Sequence, residues 1–449
     1  MKTIKTRCVL VLALAGSLAP ACAPIAPASR PEPPLAPAPT PQTQVQASAP
    51  TPAAPAAVPA NPVVDTADVI VVTLTNPLAA GRSAETMALT LADLVKVVPG
   101  LDLKKIQVVD ARGKPVLSQV VDTDGDEMPD EIVFQADFGP SESKAFRLRV
   151  AERASATEKD YRVYGRFVRE RHDDFAWEND LIAHRMYGPD LETWKKDPLT
   201  SSGVDVWVKR VPKLVVNEWY MTDNYHQDHG EGADFYAVGK SRGCGGLGIW
   251  SGGKLHLSKN FTGSRVLANG PIRLVFELTY AAWGTGGLRA TETKRVTLDA
   301  GARFNRFEST FKGAKTALPL AVGIAKHPGG VVEADGQAAW MRVWEPLNGG
   351  ASGNLGCAIV LLPGSHTEAQ QTESDHLLVT PAPRSGPLTY YVGTAWDRAS
   401  PIADAAGWTK EVQFLSSRLA NPVQVSLATL PGAAASSNAP SSGASSQSK

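Results

Sequence analysis

The stretch Arg273-Leu274-Val275-Phe276-Glu277-Leu278-Thr279-Tyr280 sets large apolar side chains at every second position. Successive side chains of an extended chain point to opposite faces, so Leu274, Phe276, Leu278 and Tyr280 predict a strand with one buried face. Similar β-rich runs recur at 69–75, 106–109, 131–135, 145–150, 204–208, 294–298, 304–311, 358–362, 388–392 and 423–427, separated by Gly, Pro, Asn and Asp. Segments with helical period are scarce, and 84–98 is the best helix candidate. Many short strands between turn signals predict an all-β sandwich or barrel. The expected layout is a small β-domain over 64–152, followed by a larger β-sandwich over 160–430.

The ends read differently. Lys2, Lys5 and Arg7 precede a short apolar run from Cys8 to Leu18, and small residues follow. That is the pattern of a secretory signal peptide, expected over 1–21. Cys22 stands directly after Leu18-Ala19-Pro20-Ala21, which resembles a bacterial lipobox and makes Cys22 the expected lipidation site. Pro20 departs from that pattern, and plain secretion after Ala21 is the alternative. Residues 22–63 are dominated by Ala and Pro and are expected to be a disordered, semi-stiff tether. Residues 431–449 read as a disordered tail. The expected location is outside the cytoplasm, on a membrane through the lipid anchor.

The chain carries 45 basic and 45 acidic residues with no basic stripe, so composition gives no support to a nucleic-acid partner. Of four cysteines, Cys244 and Cys357 lie in the body. In an oxidising compartment they could pair, or remain two separate buried thiols.

Three segments carry chemistry. In Asp122-Thr123-Asp124-Gly125-Asp126-Glu127-Met128-Pro129-Asp130, carboxylates alternate around a glycine. That spacing makes Asp122, Asp124, Asp126 and Asp130 candidate ligands for a structural calcium ion, with an acidic hairpin turn as the alternative. In 173–189, Trp177, Glu178, Asn179, Asp180, Arg185 and Tyr187 mix aromatic faces, carboxylates, an amide and a guanidinium. Sugars need such stacking faces, and an Arg fork matches a substrate carboxylate. If the segment is extended, Glu178, Asp180, Ile182 and His184 share one face, and Asn179, Arg185 and Tyr187 the other. In 217–239, Tyr225, His226, His229, Glu231 and Asp234 surround Gly230 and Gly232, which predict a loop whose backbone a ligand approaches. His226 and His229 could act as acid or base near neutral pH. With Glu231 or Asp234 they could also hold a transition metal, though the spacing is not that of a helical zinc motif. The Gly-rich stretch that follows ends on Trp250, a candidate sugar platform.

The runs DDFAWENDLIAHRMYGP and YHQDHGEGADFYAVGKSRGCGG, with DTDGDEMPDEIVF upstream, resemble a bacterial family of exported proteins labelled a domain of unknown function, over roughly 65–430. The resemblance implies a galactose-mutarotase-like β-supersandwich. It also implies association with acidic-polysaccharide utilisation and action on uronate-containing oligosaccharides by elimination. The family pattern falls on Trp177, Glu178, Asn179, Asp180, Arg185, Tyr187 and Gly188, then on His226, His229, Gly230, Glu231, Gly232 and Asp234. His184 departs from it, since a large apolar residue is expected there, and Arg242 and Cys244 stand where small residues are expected.

β-Elimination on a uronic acid needs a neutralised carboxylate, a base for the C5 proton and an acid for the leaving oxygen. The expected roles are Arg185 as carboxylate clamp, His226 or His229 as base, and Tyr187 or Tyr225 as acid. Trp177, Glu178, Asn179, Asp180, Glu231, Asp234 and Trp250 would bind substrate. Two alternatives stay open. One is a glycoside hydrolase with paired carboxylates drawn from Glu178, Asp180, Glu231 and Asp234. The other is a non-catalytic glycan-binding surface lipoprotein using Trp177, Trp219 and Trp250.

Overall fold

Leu274, Phe276, Leu278 and Tyr280 are all buried in the strand Arg273–Trp283, as the alternation predicts. The computed structural model describes residues 67–430 apart from 154, 197, 223 and 400. The leader, Cys22, the tether and the tail lie outside these described residues.

The strand Arg273–Trp283 belongs to an eight-stranded antiparallel sheet, in the order 263–269, 273–283, 290–299, 304–312, 388–396, 354–361, 340–346 and 331–335. Two five-stranded sheets provide the facing layer. One runs 232–233, 205–209, 183–186, 174–179 and 163–168. The other runs 254–256, 244–251, 319–325, 375–381 and 368–371. A single parallel bridge, Val204 to Gly243, links them. One apolar cluster fills the space between, drawing Phe175, Trp177, Val206, Ile249, Phe276, Leu298, Phe307, Val322, Ile359 and Tyr390 from all three sheets. The protein is therefore all-β, with a sandwich as its main body.

Residues 68–150 build a second core. Ile70, Val72, Ile106, Phe134, Phe146 and Leu148 pack between a four-stranded and a three-stranded sheet. Val275 points away from the main core and is buried against Val121 and Val133 of this part. The chain also returns to it at the end: Gln424–Thr429 pairs with Asp68–Thr75, from Thr75 opposite Gln424 to Ile70 opposite Thr429. The expected assignment of all residues from 160 to 430 to the large sandwich is corrected at this strand.

The helix candidate 84–98 also needs correction. Arg82–Thr90 is a strand with Met87 and Leu89 buried, and only Leu91–Val97 is helical. Thr90 ends one element and starts the other, its hydroxyl accepting the Asp93 amide at 3.1 Å as an N-cap. The main helix is Ala405–Ala420. Asp404 caps it by accepting the Gly407 amide at 2.7 Å. Trp408, Val412 and Leu415, spaced for one helical face, pack on Trp340, Ala358 and Val360 of the eight-stranded sheet. Cys244 and Cys357 are buried free thiols. Burial and the adjacent Cys244 thiol hold the Cys357 thiol well above its ordinary pKa.

Candidate functional site

The 173–189 segment folds as a hairpin, Asp174–Asn179 against Ala183–Met186, with Ala176 opposite Arg185 and Trp177 opposite His184. The chain turns between the two strands, so no face continues from Glu178 to His184. Phe175 and Trp177 enter the main core. Asp174, Ala176, Glu178, Ala183 and Arg185 face the other way. That face is covered by the helix Val216–Tyr220 and the loop after it, through Val215, Val216, Trp219, Tyr220 and Tyr225 packed on Ala176, Ala183 and Trp207.

This cover decides the fate of several expected ligand-binding residues. Trp177 is fully buried and donates from Nε1 to Asn305 at 2.8 Å, so it offers no stacking face. Glu178 is fully buried. It accepts Lys209 Nζ at 2.7 Å and the Val215 and Val216 amides at 2.8 and 2.7 Å. Asn179 accepts the Leu181 and Ile182 amides and donates to the Asp299 and Ala302 carbonyls, which makes it the turn's fastener. Asp180 binds Arg162 and accepts the Gly301 amide at 2.7 Å. These are framework residues. Trp250 lies on the strand Cys244–Ser251, in the other five-stranded sheet.

Arg185 is the centre of a different constellation. Its Nε and Nη2 donate to one oxygen of Asp205, at 2.9 and 2.6 Å. Nη2 also donates to Asp234 at 3.0 Å, and Nη1 to the Tyr225 hydroxyl oxygen at 3.0 Å. Asp174 stands 3.7 Å from Nη1. Tyr187 donates its hydroxyl proton to the same Asp205 oxygen at 3.0 Å. Every guanidinium nitrogen is engaged. As a clamp for a substrate carboxylate, Arg185 is corrected: the protein's own carboxylates already hold it. Tyr187 is likewise committed to Asp205, and burial with the Asp205 charge raises its pKa well above 10.

Three buried carboxylates around one guanidinium cannot all stay charged cheaply. Burial, then the charge of Asp205, holds Asp234 well above the usual carboxylate range. Burial raises Asp174 to about 7, against the pull of Arg185 and the Gly188 amide. The folded value lies above the unfolded one, so the stability this group contributes is complete below about pH 4 and is lost as pH rises through about 7. Asp174→Asn keeps an acceptor for the Gly188 amide, 2.9 Å away, and removes the titration. Its melting temperature should fall less between about pH 5 and about pH 8 than that of the native chain. Equal falls would contradict the assignment.

The second motif approaches the same cluster from outside. His226 follows Tyr225, and their rings lie 4.4 Å apart. Its side chain is 59% exposed. Nδ1 contacts the Asp234 carbonyl at 3.0 Å and the Asp234 carboxylate at 3.5 Å, which leaves Nε2 on the outward edge. His229 is exposed and lines a cavity of about 130 Å³ with Glu218, Trp219, Tyr225 and Glu231. Glu231 is held by Lys213 at 3.1 Å and by Trp219 Nε1 at 3.3 Å. Gly232 does not serve ligand approach: at φ +123°, a Cβ there would lie 2.0 Å from the Val208 carbonyl oxygen, so it allows Gly232–Ala233 to pair with Val208 and Lys209. Gly230 has open space around it.

Two residues were missed in the sequence. Asp205 begins the strand Asp205–Lys209 and is followed by Val206, Trp207 and Val208, and an acid beside such an apolar run signals a buried partner. Arg171, just before the hairpin, lays its guanidinium over the Tyr225 ring at 4.8 Å. It is half-buried and makes no hydrogen bond or ion pair among the described residues.

In the acidic loop, Asp122, Asp124 and Asp130 each bring an oxygen within 4.8 Å of the others. This is the only such group of three metal-ligating side chains among the described residues. Asp126 is not part of it, and its carboxylate accepts the Met128 amide at 2.8 Å. Ligands about 2.4 Å from one ion lie at most about 4.8 Å apart, so the three oxygens suit a hard cation such as calcium. The same carboxylates also close the turn: Asp122 accepts the Gly125 and Glu127 amides at 2.6 and 2.7 Å.

A family profile described as "Domain of unknown function (DUF4861)" matches residues 74–425. An "Uncharacterized protein P7" of Formosa agariphila is 32% identical over 372 residues, covering 79% of this chain and 93% of that protein. Among solved structures, an alpha-mannosidase from Enterococcus faecalis V583 aligns at 11% identity with a TM-score of 0.45, over 82% of this chain and 47% of that one. A glycosyl hydrolase family 38 protein from Enterococcus faecalis aligns at 11% identity with a TM-score of 0.49, over 82% and 48%. The chain spans about half the length of these solved proteins.

Proposed function

This chain belongs to the DUF4861 family, and from that premise we propose that it is a carbohydrate-active enzyme that opens uronate-containing oligosaccharides by β-elimination. The observation that carries this reading is the pairing of Tyr225 with His226 on the Arg185 scaffold. Arg185 donates to the oxygen of the buried Tyr225, whose ring lines the small cavity shared with His229, and in this reading the phenolic proton goes to the leaving oxygen. Asp234 occupies Nδ1 of His226 and leaves Nε2 to take a proton from substrate. Arg171, stacked on Tyr225, replaces Arg185 as the cation for the uronate carboxylate.

Nε2 of His226 takes the C5 proton, whose acidity rises as Arg171 neutralises the adjacent carboxylate. The C5–H electrons form the C4=C5 double bond, the C4–O bond breaks, and Tyr225 protonates the departing oxygen. A glycosidic oxygen at C4 gives chain cleavage, and a free hydroxyl gives loss of water. The hydrolytic alternative is less well supported. Glu178 has no oxygen free, and Asp180 and Glu231 are held by Arg162 and Lys213.

Arg171→Met tests the reading. Its KM for uronate oligosaccharide should rise about tenfold, the worth of roughly 1.4 kcal/mol, with an unchanged melting temperature. An unchanged KM would remove Arg171 from the site.

A further inference from the structure

A second and larger cleft, of about 630 Å³, lies on the outer face of the eight-stranded sheet, between residues 81–86 and the helix Ala405–Ala420. Most charges in its wall are mutually satisfied. Arg273 is bound by Asp299 at 2.7 and 2.8 Å and by Glu131 at 2.7 Å. Arg418 is bound by Glu85 at 2.7 Å. Arg303 and Glu411 are the exceptions. Both line the cleft, and neither side chain makes a hydrogen bond or ion pair among the described residues. Burial pushes the Arg303 guanidinium below its ordinary pKa. The charges of Glu411 and Asp180 act on it only from beyond ion-pair distance, so an anion placed directly against the guanidinium would offset more of its desolvation.

Aromatic rings also line the cleft. Phe304 is held flat against Trp408, with ring centroids 5.5 Å apart and planes 9° apart, and Tyr391 and Phe414 complete that side. The size falls within the range of small-ligand sites, roughly 300–1,000 Å³. The carboxylates of Glu85, Asp299 and Glu411 share the wall and would repel a multiply charged phosphate. They would accept hydrogen bonds from sugar hydroxyls.

We propose that this cleft is a second, non-catalytic saccharide site that binds an acidic sugar. Its carboxylate sits on Arg303, its ring lies against Phe304 and Tyr391, and its hydroxyls donate to Glu411. The cleft is separate from Tyr225 and His226.

The test is calorimetric titration of the full chain with tetragalacturonate and tetramannuronate, and with neutral cellotetraose. A His226→Ala background prevents turnover. Either uronate oligomer should bind with an Arg303-dependent component that Arg303→Met weakens at least tenfold. Glu411→Gln should weaken it as well, with both variants melting like their parent. Arg303→Met in the otherwise native chain should leave kcat unchanged. Native-like affinity in both variants, equal binding of cellotetraose, or no binding of either uronate would each overturn the proposal. Arg303-dependent binding without elimination in the native chain would sustain the cleft and defeat the catalytic reading.

Discussion

Tyr225→Phe and His226→Ala should each lower kcat on a uronate oligosaccharide by about 10²–10⁴-fold, the usual worth of a positioned acid or base. The two side chains touch, so the double variant should lose little more than the worse single one. The melting temperature separates this from misfolding. Tyr225→Phe keeps the ring contacts with Trp207 and Tyr220 and loses only the oxygen that accepts from Arg185. His226 is largely exposed, so its removal should leave the fold in place. His229→Ala, at an exposed loop position, should retain most activity. Full activity in either the Tyr225 or the His226 variant, measured as unsaturated product, would refute the assignment.

Glu178→Ala should cost about 3–5 kcal/mol of stability, the range for breaking one side of a buried ion pair. Removal strands Lys209, whose Nζ is fully buried and keeps only the Asn179 and Lys213 carbonyls, at 2.8 and 2.6 Å. It also leaves the Val215 and Val216 amides without their acceptor. Those amides begin the helix that covers the Arg185 cluster, so activity should fall together with stability. Glu178→Gln retains an oxygen and should cost less. Replacing both partners, as in Glu178→Leu with Lys209→Met, should recover part of the loss because no lone charge remains. Guanidinium denaturation measures all three, and a change within about 0.5 kcal/mol for Glu178→Ala would contradict the framework role.

These expectations mark what the sequence discloses. β-Rich runs located eleven of the twenty-five strands among the described residues, chiefly those with one face on a continuous apolar core. That signal failed at Arg82–Thr90, where a strand runs directly into a short helix and only Thr90 marks the change. The helix Ala405–Ala420 carried a legible signal in Asp404 and the Trp408, Val412, Leu415 spacing, masked by the β-rich surroundings. The site was legible as a neighbourhood, and the roles within it were not. Trp177, Glu178 and Asn179 look like sugar ligands when written in a row. Both faces of their strand are covered, one by the core and one by a helix some forty residues later in the chain. A local reading has no access to that second cover. It also hides why Arg185 is unavailable: Asp205 and Asp234 reach it from other strands and loops. Arg171 escaped notice because only the fold lays it on Tyr225.

In the proposed function, the Tyr225 and His226 pair performs elimination on a uronate oligosaccharide. The most direct measurement incubates the full chain with a panel of such oligosaccharides and follows ultraviolet absorbance and product mass together. Elimination gives rising absorbance from a new C4=C5 bond, with product masses that sum to the substrate mass or fall short of it by one water. Products that have gained water without absorbance, or oligosaccharides bound and returned unchanged, would contradict it.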